Sequence, residues 1–325
     1  MERREGRVGL VLGGGGMVGL AYHAGVLRAL EELGGFRPND ADLIVGTSAG
    51  SVVGAYLRSG WTTEDFWQLA MGTHPQLAPL GGGKPWRGDI LSPRFTNPFD
   101  LWRRGMGSAF VLTRSMLRVP APRVPSCLQN AFPAGLFAMR EGRRRFADEL
   151  PEEWPQKPLW LCGVDIVSGR RVVLGRRGSP HATLHEGVMA SCAIPGIYSP
   201  VRVGKLTLVD GGAHSSTNLD LAARFGCQLI IGVAPMAFDT AAPPSPFGQL
   251  VRRVPARSLA GEVAVARRRG ESVLLFRPSA AELRLHGVDL MRSNGLEAVA
   301  AAAYESTAVR LDTPRYRSAL SELAA

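Results

Sequence analysis

The chemistry starts at Ser48, which lies in Gly46-Thr47-Ser48-Ala49-Gly50, a G-x-S-x-G pentapeptide. The apolar run Ala41 to Val45 precedes it, and Ser48 to Leu57 reads as the start of a helix. A serine on a tight strand-to-helix turn projects its hydroxyl at the helix N-terminus, where backbone N–H groups and the dipole favour developing negative charge. Gly46 and Gly50 suit such a turn because neither brings a Cβ into it. The plainer alternative makes Ser48 only a helix N-cap.

Two further clusters could serve that hydroxyl. Gly14-Gly15-Gly16-Met17-Val18-Gly19 matches G-x-G-x-x-G after a predicted strand. A dinucleotide loop of that form wants an acidic residue about 20 positions on, at the end of the second strand. Here that strand ends at Gly46 and is followed by Ser48. The competing reading is an oxyanion hole, with the N–H groups of Gly14, Gly15 and Gly16 turned toward a tetrahedral intermediate, each good donor being worth about 3 kcal/mol. Asp210-Gly211-Gly212 closes the predicted strand Leu206 to Val209. Ligands in α/β sheets bind beyond the carboxyl ends of the strands, where Asp210, Ser48 and the glycine loop could meet. Alone, Asp-Gly-Gly reads as a turn. None of the six histidines (23, 74, 181, 185, 214, 286) has a recognisable triad setting, and His214 reads as a loop residue beside the Asp turn.

These residues need a scaffold. From Val8 to Leu27 no side chain carries a formal charge, a length that would suit a membrane span or a signal peptide. Four consecutive glycines, Gly13 to Gly16, argue against it, since each costs a helix about 1 kcal/mol relative to alanine. The stretch divides instead into a strand (Val8 to Leu12), a glycine turn and a helix (Val18 to Leu33), with no spanning segment and no cleaved signal. Further strands are expected at Pro158 to Val167, Arg171 to Leu174, Leu206 to Val209, Leu229 to Val233 and Val273 to Phe276. Helices are expected at His185 to Ala193, Leu219 to Phe225, 258–269 and Leu296 to Leu311, where Ala300 to Ala303 signal tight helix packing. Strands alternating with helices predict an α/β fold with a mainly parallel central sheet flanked by helices, one catalytic domain over 1–325. Residues 72–135 lose periodicity and mix Gly, Pro and aromatics with arginines. So long a stretch predicts a cap or lid insertion with short helices rather than a linker.

The 325 residues carry 38 basic and 28 acidic side chains, net +10, and only three of the basic ones are lysines (Lys84, Lys157, Lys205). Arginine bias with abundant Ala, Gly and Val fits a genome-composition effect; the functional alternative is attraction to an anionic membrane surface. No nucleic-acid-binding signature is present, and nucleic acid is not an expected partner. The cysteines at 127, 162, 192 and 227 form no C-x-x-C pair, which leaves no zinc knuckle or redox dithiol and fits a reducing, cytoplasmic setting.

Four blocks in order, LGGGGMVGLAYHAGVLRALEE, VGTSAGS, ASCAIPGIYSPV at 190–201 and VDGG at 209–212, resemble the patatin-like phospholipase family. The resemblance implies a three-layer α/β fold and a Ser-Asp dyad that hydrolyses acyl esters of lipids without cofactor or metal. Carried over, Ser48 is the nucleophile, Asp210 the general base, and the backbone around Gly14, Gly15 and Gly16 the oxyanion hole. A carboxylate is ordinarily a poor base at neutral pH, so the fold must hold Asp210 in a sheltered site. The chain departs from the family at Val18, where a basic residue is usual, and after Asp210-Gly211-Gly212, where AHSSTNLDLA displaces the Asn to 218 and omits a Pro. Two alternatives remain: a non-catalytic membrane-surface or scaffold protein on the same fold, and a Ser-His-Asp hydrolase using His214 or His286 as base.

Overall fold

A computed structural model describes residues 6–75, 92–117, 131, 133–239 and 246–324. They group into two compact units, Met1–Gly83 with Pro155–Leu159 and Ser216–Ala325, and Lys84–Trp154 with Trp160–Ser215.

The first unit rests on four parallel strands, numbered along the chain as β1 (Val8–Leu12), β2 (Leu43–Gly46), β9 (Leu229–Val233) and β10 (Ser272–Phe276), in the order β10-β9-β1-β2. Every residue of β1, β2 and β9 is buried, the continuous apolar pattern of parallel strands covered on both faces. Side-chain alternation assigns those faces. A Cβ at Gly9 would meet Ala222 of the helix Asp220–Phe225 and Cys227 just beyond it, so that helix lies close on one side. On the other side Leu12 and Ile44 meet Gly54 of α2 (Ala49–Arg58). Helix, sheet and helix are therefore layered, the α/β arrangement that the strand pattern predicts.

Helix α1 (Gly16–Glu32) packs on the helix Leu296–Leu311 at very short range. A methyl group on Gly25 would stand 2.9 Å from Ala303 Cβ and closer still to the carbonyl oxygen of Ala300. Ala300 and Ala303 are fully buried, so the alanine run does mark tight packing. Helix α3 (Thr63–Met71) was not predicted, although its start is written in the sequence. Thr62 accepts from the Asp65 N–H at 3.2 Å while Asp65 accepts from the Thr62 N–H at 2.7 Å, a capping box. The helix Pro246–Arg268 begins twelve residues before the predicted 258, and runs through Pro255. A proline is well tolerated in a first turn, where Pro246 opens this helix.

In the second unit β5 (Leu159–Asp165) pairs antiparallel with β6 (Arg171–Leu174) and β8 (Leu206–Asp210), and β8 pairs antiparallel with β7 (Val201–Val203). Helix α4 (Pro98–Leu117) joins this unit's core, where Val111 packs with Val164 and Val209. A short antiparallel pair, β3 (Ser92–Pro93) and β4 (Phe137–Ala138), lies just before the helix Arg140–Glu149. The aperiodic stretch 72–135 thus contains a long regular helix. The rest of that predicted cap, at 76–91, 118–130 and 132, lies outside the described residues. Among the described residues no helix is long and apolar enough to cross a membrane.

The Gly25 contact gives a direct test of the packing. Gly25→Ala forces backbone apart rather than displacing a flexible side chain, and overpacking of this kind destabilises by about 1 to 3 kcal/mol. Urea unfolding should show a lowered midpoint with unchanged slope; an unchanged midpoint would mean the two helices are not closely apposed.

Candidate active site

Ser48 occupies the turn between β2 and α2 with φ 53° and ψ −121°, a conformation that L-residues rarely adopt. Strain of this sort costs about 1 to 3 kcal/mol and persists only where neighbouring structure enforces it. Three donors converge on the Ser48 carbonyl: the N–H of Ser51 at 2.8 Å, the N–H of Val52 at 3.3 Å and the hydroxyl of Ser51 at 2.6 Å. Thr47 N–H bonds to the Leu12 carbonyl at 3.0 Å, tying the turn to the end of β1. The flanking glycines have steric reasons. A Cβ on Gly46 would lie 2.7 Å from the Gly50 carbonyl oxygen, and one on Gly50 would collide with the carbonyl of Leu12.

The glycine turn lies against this elbow. A Cβ on Gly14 would come within 3.2 Å of Ser48 Cβ, so Gly14 lets the turn approach the serine. The N–H groups of Gly13 and Gly14 are occupied, donating to Val233 O at 2.9 Å and Ser216 O at 2.8 Å. Gly15 caps α1 and Gly16 opens it at φ 62°, which places both at a helix N-terminus whose N–H groups have no intrahelical acceptor. Gly15 also packs against Gly19 and Pro235, where any side chain would intrude.

Residues that motif reading passed over brace this pair of turns. His23, fully buried one helix face away, places Nε2 2.7 Å from the Gly13 carbonyl oxygen, so that nitrogen carries the proton and donates. Asn218 is also fully buried, has φ 55°, and donates from Nδ2 to Thr47 Oγ1 at 3.0 Å. Glu262 fixes the same loop, accepting from Thr217 Oγ1 at 2.7 Å and the Leu219 N–H at 2.8 Å. The loop 216–219 therefore grips the glycine turn through Ser216 and the elbow through Asn218. The sequence carries Asn218 only as an oddity of spacing, and nothing local flags Glu262, which arrives from a helix 45 residues beyond Thr217. Val18, where a basic residue would be usual, is fully buried and its N–H bonds to Leu290 O at 3.1 Å. A buried cation does stand nearby: Arg252 donates to the Pro235 carbonyl at 2.7 Å, and Pro235 packs on Gly15.

Asp210 ends β8 in the second unit, paired with Gly163 of β5 and 5% exposed. Its N–H bonds to the Ala193 carbonyl at 2.9 Å, and one carboxylate oxygen accepts from the Gly212 N–H at 2.7 Å. A Cβ on Gly211 would fall 2.5 Å from the Cys162 carbonyl oxygen, so this glycine is needed for the turn to lie on β5. The carboxylate is thus sheltered and oriented by its own turn.

His286 is poorly suited to act as a base. It lies edge-on to Tyr22 at 5.4 Å between ring centroids, and neither ring nitrogen has a hydrogen-bond partner. Burial first, then the charges of Arg252 and Arg292, lower its pKa from 6.5 to about 3. His23 is lowered to about 4, again by burial, with the Gly13 bond opposing. Both rings are neutral in the folded protein, while in the unfolded chain they bind protons near pH 6.5. The unfolded state therefore holds more protons between pH 6.5 and about 4, and stability falls as the pH drops through that window, by about 3 kcal/mol from His23. His286→Phe should flatten the pH dependence of unfolding free energy between pH 7 and 4, measured by urea titration. Parallel curves for the two chains would contradict the assignment.

The fold and the elbow define an α/β protein carrying a strained serine turn against a glycine-rich helix start. The model for patatin-like phospholipases matches residues 10–111 and 156–223, and the chain belongs to that family, a class of lipid hydrolases. The chain is 26% identical over 244 residues to the uncharacterized protein YqhO of Bacillus subtilis, with 69% of each chain covered. It is 27% identical over 241 residues to lysophospholipase nte1 of Aspergillus fumigatus, covering 73% of this chain but only 12% of that much longer protein. Among solved structures, VipD from Legionella pneumophila is similar over 95% of this chain and 67% of its own, at 15% identity and a TM-score of 0.43.

Proposed function

We propose that the protein is a serine acyl hydrolase that cleaves carboxylic esters of phospholipids, with Ser48 as nucleophile and Asp210 as general base. The observation that carries this reading is the Ser48 elbow: an unfavourable backbone conformation, held by three donors on one carbonyl, at a helix N-terminus. Family membership supports the lipid ester as substrate, and the lysophospholipase name of the fungal relative favours a phospholipid.

In this mechanism Asp210 takes the proton of Ser48 Oγ as the oxygen attacks the ester carbonyl. The negative charge that develops on the carbonyl oxygen is met by the N–H groups of Gly15 and Gly16, while Gly14, whose own N–H is held by Ser216, supplies room beside the serine. Collapse breaks the ester bond, and the proton on Asp210 goes to the departing alcohol. A water then gives its proton to Asp210 and attacks the acyl-serine, releasing the fatty acid and returning the proton to Ser48. Asp210, 5% exposed, has the shelter that a carboxylate base needs.

A fluorophosphonate probe tests the assignment. Wild type should label and hydrolyse a short acyl ester. Ser48→Ala should do neither, and Asp210→Asn should lose turnover by at least about 100-fold, the scale of general-base catalysis. Labelling that survives Ser48→Ala would refute the nucleophile, and a wild type that neither labels nor turns over would point to a non-catalytic member of the family.

The reading includes contact with a lipid surface. On α4, Phe99, Trp102, Met106 and Phe110 recur at helical spacing and are each exposed, by 66, 54, 52 and 46%. A stripe of large apolar side chains on a protein of net charge +10 suits an anionic bilayer. The double variant Phe99→Ser/Met106→Ser should sediment less with anionic vesicles than wild type. Equal sedimentation of the two would remove α4 from the docking face.

A further inference from the structure

The second unit contains a cavity of about 320 Å³ at the junction of the β3/β4 pair, the start of the helix Arg140–Glu149 and the segment leading into β7. Three arginines, Arg94, Arg140 and Arg143, each exposed to solvent, are among the residues that line it. Their convergence follows from local structure. Arg94 is carried next to β4 by its N–H bond to the Leu136 carbonyl at 2.9 Å. Arg140 and Arg143 are three apart on one helix, hence on one face.

The same helix supplies an internal comparison. Arg144 and Arg145 pair with Asp148 and Glu149 in the usual i, i+4 manner. Among the described residues Arg94, Arg140 and Arg143 have no ion-pair partner, although all three border one cavity. Arg94 donates instead to the Ser199 hydroxyl, which itself donates to Ala134 O at 3.2 Å. Its pKa is held below the usual guanidinium value, by burial first and then by the charges of Arg104, Arg140 and Arg143, with Asp100 opposing. Among the described residues positive charge is therefore concentrated here without a paired carboxylate, and Tyr198, Met139 and Met189 also line the cavity.

The geometry points to a binding pocket for a phosphate ester: a phosphate held by Arg94, Arg140 and Arg143, with an attached organic group against the methionines and Tyr198. Guanidinium forks match phosphate oxygens in pairs, and three of them suit a dianionic monoester better than a single carboxylate. The cavity is several times the volume of one water, which leaves space for a glycerol-sized substituent. It also adjoins the proposed chemistry, because the lining residue Ala193 accepts the Asp210 N–H at 2.9 Å. As the seat of the headgroup phosphate, the pocket rests on the acyl-hydrolase reading; as an anion site it does not.

Titration calorimetry of the full chain with inorganic phosphate and with glycerol 3-phosphate reads the site directly. Wild type and Ser48→Ala should bind both, glycerol 3-phosphate more tightly, and Arg140→Gln/Arg143→Gln should weaken binding at least tenfold. Arg144→Gln removes the same charge from the paired face and should leave binding unchanged. Absence of binding by wild type, or equal losses in Arg144→Gln and the double variant, would overturn the pocket. Turnover then separates the two sources of phosphate. If a lipid headgroup is the ligand, the double variant should raise KM at least tenfold for a lysophospholipid bearing a terminal phosphate, and leave hydrolysis of a neutral short-chain ester unchanged. Equal effects on both esters would overturn the headgroup role, with phosphate binding still deciding the anion site. A wild type that binds phosphate but cleaves neither ester would reject the hydrolase reading and the headgroup role, and keep the anion site.

Discussion

The first unit depends on one close approach, that of the start of α2 to the end of β1. Gly50 can lie against the carbonyl of Leu12 only because it has no side chain, and the same carbonyl accepts the Thr47 N–H. Once α2 is seated at that distance, the chain leaving β2 has too little length for a relaxed turn, and Ser48 takes the strained conformation. The Ser48 carbonyl then points back into the helix, where Ser51 and Val52 hold it. The unusual turn at Ser48 is thus a by-product of backbone packing, held in place by buried strands.

The glycine turn shows the same economy of means. Four glycines in a row would be a liability in a helix, yet here each one meets a different neighbour: strand β9 and the 216–217 loop at Gly13, Ser48 at Gly14, Pro235 and Gly19 at Gly15, and the carbonyl of Leu290 at Gly16. Backbone from two distant segments, at 216 and 290, comes close enough that side chains would separate them. His23 backs the arrangement from within α1, and its buried, neutral ring keeps the donor on the nitrogen that faces Gly13.

Much of this was legible from residue order. β1, β6, β9 and the helix Leu296–Leu311 fall where the residue pattern puts them, and β1 and β9 are fully buried apolar runs. The G-x-S-x-G turn was readable because its glycines are dictated by geometry. What escaped notice depended on partners far away in sequence. Gly14 reads as an oxyanion donor until Ser216 is seen to occupy its N–H, and Asn218 reads as misplaced until Thr47 is seen beside it. Helix α4 is hard to read from sequence because most of its large apolar residues are exposed, with Val111 facing the core, so they form no core-facing stripe. The caps of α3 and of the helix Ala280–His286 are written as Thr62/Asp65 and Ser279/Glu282.

Position 218 is narrower in what it tolerates than its place in a loop suggests. Its backbone, at φ 55°, favours glycine, asparagine or aspartate, and its side chain must bridge to Thr47 from a fully buried site. Glycine meets the first demand and fails the second. Glutamine has the amide but not the backbone preference, and aspartate would bury a charge one residue from two groups bonded to Glu262. Two independent filters, one conformational and one chemical, intersect at a single amino acid, so sequence drift in this loop has almost nowhere to go at its centre.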